Sequence, residues 1–114
     1  MEPTAQSFRY AERVLEGFDD DGNAERIVLS IERRDGGIWV VDRAVNPQLR
    51  ANGEAVPGDE IFSGYELDDA LERANDALED DVRVLEEEGL DVHVQPFTRK
   101  EILPKLERWF LRES

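Results

Sequence analysis

The 114-residue chain contains no cysteine, one histidine, one methionine and only two lysines, Lys100 and Lys105. The missing thiols exclude disulfides and thiolate sites. No apolar run approaches the length of a membrane span. The opening MEPTAQ lacks the basic and apolar regions of a signal peptide, which predicts a cytoplasmic protein. No phosphate-binding glycine pattern is present, and Gly36-Gly37 reads as turn chemistry. Positive charge is scarce as well: 14 basic residues face 28 acidic ones, for a formal charge of −14. Nucleic-acid affinity depends on Lys and Arg displacing counterions, so this balance argues against direct nucleic-acid binding. Anionic membrane surfaces are disfavoured on the same grounds. A basic protein partner is favoured by long-range steering, and the same charge also serves solubility.

What is abundant is carboxylate, and it is concentrated. Tyr65–Gly89 carries eleven acids against Arg73 and Arg83, a local charge of −9. Leu67, Ala70, Leu71, Ala74, Leu78, Val82 and Leu85 keep helical spacing through it, and Gly89 makes a natural stop. The pattern predicts one long helix, its apolar stripe docked and its acidic face exposed. Burying Leu67, Leu71, Leu78 and Leu85 contributes up to roughly 6–12 kcal/mol. Like-charge neighbours such as Asp68/Glu72 and Asp76/Asp80 oppose this by only a few tenths of a kcal/mol each.

Ahead of the helix, Phe8 to Val45 reads as a three-stranded meander. Phe8, Tyr10, Val14 and Phe18 alternate as a strand does, and Asp19-Asp20-Asp21-Gly22-Asn23 is hairpin punctuation. Ala11, Val14, Leu15 and Phe18 also fit one helical face, with Ser7 as N-cap. Ile27, Leu29 and Ile31 define the second strand, and Ile38-Trp39-Val40-Val41 the third. A two-residue Asp35-Gly36 turn sets Ile31 opposite Val40, whereas a three-residue loop ending on Gly37 sets it opposite Val41. The choice decides whether Trp39 faces the core. Asn46–Gly64 is a long connection of the kind that often serves function or moves, and Glu60-Ile61-Phe62 within it has the makings of a further strand. After Gly89, Asp91–Phe97 reads as a last strand. Thr98–Glu101 forms a capping box, with Phe97 and Ile102 at the positions of a hydrophobic staple. Pro104 predicts a kink or a short first turn ahead of Pro104–Leu111. The expected fold is a single α+β domain over residues 1–114. An antiparallel meander packs on one long amphipathic helix, and a short strand and a C-terminal helix follow.

Three residues stand out as candidate functional positions. Asp81 falls beside Ala74 and Ala77 at the edge of the apolar stripe, where a carboxylate is out of place. His93 is the sole histidine, in a Val-His-Val run without an adjacent nucleophile or orienting carboxylate motif. Trp109, beside Phe110, either closes the core or forms a homodimer contact through the C-terminal helix. The aspartates before Gly22 lack EF-hand spacing, because Gly17 and Val28 fall where ligands belong. No catalytic constellation, metal site or cofactor is expected. From Ile27 to Pro96, the Gly-Gly hairpin, LDDALERANDALEDDVRVLEEEG and the short segment ending in proline resemble the HicB-type antitoxin domain. That resemblance implies a sheet against one helix and neutralisation of a small basic RNA-cleaving toxin. The favoured expectation is a non-enzymatic binding or regulatory protein that engages a basic protein through its acidic face. The third alternative is a small-ligand or enzyme domain using Asp81, His93 and the Asn46–Gly64 loop.

Overall fold

The computed structural model describes residues 7–53 and 55–113, with side chains for residues 8–53 and 55–106. Strands β1 (Ser7–Phe18), β2 (Ala24–Arg34), β3 (Ile38–Val45) and β4 (Asp59–Gly64) form one antiparallel sheet in chain order. Helices α1 (Leu67–Glu87) and α2 (Arg99–Glu113) follow. The meander therefore has four strands, the fourth formed around Glu60-Ile61-Phe62.

Residues 7–18 form a strand rather than a helix because β1 pairs with β2 from Ser7↔Arg34 to Phe18↔Ala24. The Asp19 carboxylate closes the intervening turn by accepting from the amides of Asp21 and Asn23, as aspartates in turns do. A bulge between Arg9 and Ala11 aims Tyr10 into the core, where its ring lies 5.3 Å from that of Trp39. The β2–β3 loop is the three-residue form. Arg34 pairs with Ile38 and Ile31 with Val41, Gly37 donates to the Arg34 carbonyl, and Gly36 and Gly37 both have positive φ. In this register Trp39 shares a face with Ile31 and Val41, and all three are buried.

Across that face lies α1, burying Ala70, Leu71, Ala74, Ala77, Leu78, Asp81 and Leu85. The alanines let the helix approach the sheet closely. Its C-terminus is a Schellman motif: Leu90 donates to the Leu85 carbonyl and Gly89, at φ 91°, to that of Glu86. The sheet surface accommodates this end through Gly17, where a Cβ would collide with the Leu85 side chain. On the outer face, Arg83 pairs with Asp80.

The expected strand at Asp91–Phe97 is not part of the sheet, and residues 90–98 belong to no strand or helix. Side chains satisfy this segment where a ladder would have done so. Arg13 donates to the Gln95 and Pro96 carbonyls. Asn75 of α1 both donates to the Phe97 carbonyl and accepts from its amide. Helix α2 runs through Pro104 as one element. In the first turns of the helix, that proline removes only one interior bond.

Candidate functional site

Register and alternation put Arg43 on the helix-covered face of β3, two residues after Val41 and opposite Leu29. It meets Asp81 there. Arg43 Nε donates to one carboxylate oxygen at 2.9 Å and an Nη to the other at 2.7 Å. Asp81 is only 8% exposed. A carboxylate in the apolar stripe is thus accounted for by a bidentate partner on the sheet. Hydrogen bonding to Asp81 in turn raises the pKa of Arg43. The arrangement pins helix to sheet and leaves the carboxylate engaged on both oxygens. A cycle of Asp81→Ala, Arg43→Ala and the double variant is expected to give a coupling of about 1–2 kcal/mol by urea unfolding, above the median of exposed pairs. A coupling near zero would reduce the pair to a surface contact.

His93 is not brought to Asp81. Its side chain is 86% exposed and its ion-pair contact is Asp91 at 3.2 Å. The two candidates therefore have separate surroundings, one buried against β3 and one on a solvated segment. Trp109 lies outside the described side chains, as does Phe110. Among the described residues, no group of three or more His, Asp or Glu side chains is placed to hold a metal ion.

A second polar cluster, on the sheet face opposite α1, was not among the expected sites. Ser30 and Glu32 of β2 and Asp42 of β3 alternate with the core residues, so strand alternation alone would turn them to solvent, yet all three are buried. The connection between β3 and β4 folds back over them. Leu49 and Ala55 form a bridge, Ala55 is buried, and its carbonyl accepts from Arg9. The Gly58 amide donates to Asp42 at 2.9 Å. Arg9 also pairs with Glu32 and Glu12, and Arg34 reaches Glu60 across β3. Burial pushes the Asp42 carboxyl up and nearby Glu32 adds to this, while the Gly58 amide opposes it. The cluster holds the loop on the sheet. Its sequence signals were the length of the connection and the apolar residues Val28, Val40 and Ala44, which share this face and would be wasted on water.

The remaining chemistry is electrostatic. Asp69, Glu72, Asp76, Glu79, Glu86 and Glu87 are exposed on α1 and make no ion pair among the described residues. The last turn of α1 has no basic residue. Glu86, Glu87 and Glu88 thus sit where the helix dipole concentrates negative potential and where cations are the stabilising choice. No helix of the described residues is long and apolar enough to cross a membrane. Comparison with protein-family models, curated proteins and solved structures finds no match for the chain.

Proposed function

We propose that the protein is a non-enzymatic binding protein that engages a basic protein partner through the outer face of α1. The observation carrying this reading is the uncompensated carboxylate row on that face, which ends in three glutamates at a helix C-terminus without a local cation. Such a row is unfavourable for the isolated helix and gains when a partner's Lys or Arg residues approach. The chain's charge of −14 draws such a partner in from a distance. The inward-facing carboxylate of the same helix, Asp81, is already held by Arg43 and adds nothing to the outer surface.

The test is a pull-down with the intact protein across a salt series. Basic proteins should be retained at low ionic strength and released as the Debye length falls from about 10 Å at 0.1 M salt toward about 3 Å at 1 M. Replacing Glu72, Asp76 and Glu79 by lysine should abolish retention while unfolding stability is maintained. Retention that ignores both salt and these substitutions would refute the reading.

A further inference from the structure

The connection from Asn46 to Gly58 is a body of its own, strung between two fixed posts. At one end Asn46 takes a left-handed φ of 48°. Its amide donates to the Arg26 carbonyl, and its side-chain oxygen accepts from the Arg26 amide. At the other end Asp59 pairs with Arg43 as β4 begins. Between the posts the loop bonds to itself. Leu49 bridges Ala55, the Val56 amide donates to the Gln48 carbonyl, and the Gly53 amide donates to that of Arg50. The carboxylate cluster ties this body down, through the Gly58 amide on Asp42 and through Arg9 on the Ala55 carbonyl.

Beneath the loop lies an unbalanced pair of acids. Asp42 stands opposite Ser30, and Glu32 is its diagonal neighbour on the same face, within reach across the ladder. They are 3% and 4% exposed. The cations facing them are shared out. Arg9 of β1 divides itself among Glu12 at 2.6 Å, Glu32 at 3.4 Å and the loop carbonyl. Arg34 of β2 pairs with Glu60 of β4, which is in register with Asp42. From the loop, Arg50 is exposed, and Glu54 lies outside the described residues. Among the described residues no cation pairs with Asp42, and the Gly58 donor is a neutral amide. Removal from water beside a second carboxylate, without a cation in contact, favours the protonated form. A protonated carboxyl still accepts from Gly58 through its carbonyl oxygen.

We propose that this loop is a proton-linked cover: a proton taken up at Asp42 holds it on the sheet, and loss of that proton at neutral pH lets it lift from Val40 and Ala44. With the loop down, burial pushes the Asp42 carboxyl up, and Glu32 adds to this. With the loop lifted, Asp42 meets water and returns to the ordinary carboxylate range. The closed form therefore binds the proton more tightly, so acid favours closure until the pH falls below that ordinary range.

The cover is tested on the intact protein by amide exchange, corrected for the intrinsic pH dependence of exchange. The readout is protection of the Gly58 amide relative to the amides of the β2–β3 ladder. In wild type that ratio should rise about twofold or more between about pH 7 and about pH 5. Asp42→Asn keeps an acceptor and removes the titrating group, so it should show no such rise. Glu32→Gln keeps an acceptor for Arg9 and removes the neighbouring charge. It should protect Gly58 about twofold or more better than wild type at neutral pH, and the rise on acidification should shrink. Glu54→Gln should leave the wild-type rise intact. A wild-type ratio that stays level or falls with acid overturns the cover, as does an equal rise in Asp42→Asn or its loss in Glu54→Gln. Where Asp42→Asn fails to hold the loop, Glu32→Gln decides: protection no better than wild type at neutral pH refutes the like-charge pair and the cover with it.

Discussion

Arg13→Ala should lower unfolding stability by about 3 kcal/mol and release α2 from the sheet. The guanidinium sits 4.6 Å from the centre of the Phe97 ring. It donates to the Gln95, Pro96 and Glu12 carbonyls and to both oxygens of Glu101. Hydrogen bonds to charged groups are worth about 1.5–3 kcal/mol each when sheltered, and this side chain is largely sheltered. Partial exposure of Glu101 and the independent anchoring of Phe97 and Ile102 in the core keep the total well below the sum. The predicted signature is local: in the variant, amides of α2 should exchange faster than those of α1. Arg13→Lys keeps the charge and loses the fork, so it should fall between wild type and alanine. Equal exchange in both helices would show that Arg13 does not clamp this segment.

The same clasp sets a pH dependence. Hydrogen bonding to Arg13 holds the Glu101 carboxyl below the usual range, against the opposing effect of burial. A folded-state pKa below the unfolded value means that the unfolded chain binds the proton more readily. The contribution is complete above the unfolded pKa of about 4.3 and disappears as pH falls through the lower folded value. Arg13→Ala removes the cause of the shift. Its stability deficit relative to wild type should therefore be largest above pH 5 and shrink as the solution is acidified through this window.

This clasp leaves little trace in the sequence. Arg13 alternates with Val14 in a run read as half-exposed strand, and nothing local marks it as facing a segment more than eighty residues away. Asp91–Phe97 alternates like a strand because Val92, Val94 and Phe97 turn partly or fully inward. Its backbone partners, however, are the Arg13 and Asn75 side chains. Helix α1 was legible because 3.6-residue spacing, five apolar turns and a Gly stop all agree. Asp81 was visible as an anomaly in that stripe. Its partner was hidden until the β2–β3 register placed Arg43 on the inner face, and that register hung on one extra loop residue. The burial of Ser30, Glu32 and Asp42 leaves little trace in the sequence for a different reason. Alternation reports which face a residue occupies, and the cover on the second face comes from a loop that returns from beyond β3. His93 is solvated, as on the exposed side of a Val-His-Val strand, but the segment that carries it is irregular rather than the expected strand.

That returning loop depends on one position more than any other. Gly58→Ala should destabilise the protein by about 2–4 kcal/mol, and Gly53→Ala in the same loop by only about 1 kcal/mol. A Cβ at residue 58 would lie 2.6 Å from both the Ala44 Cα and the Arg43 carbonyl oxygen, atoms of an interior strand that do not yield. The loop must lift instead. Lifting separates the Gly58 amide from Asp42 and draws the Ala55 carbonyl from Arg9, exposing Val40 and Ala44 beneath. Gly53, by contrast, has open space for a methyl group and suffers only from its positive φ of 86°. Urea unfolding gives the two losses, and exchange at the Val56 amide, which donates to the Gln48 carbonyl, reports the loop directly. In Gly58→Ala that amide should exchange much faster, while in Gly53→Ala it should stay protected. A Gly58→Ala protein as stable as Gly53→Ala would mean that the loop does not bear on the sheet, and that Glu32 and Asp42 face water after all.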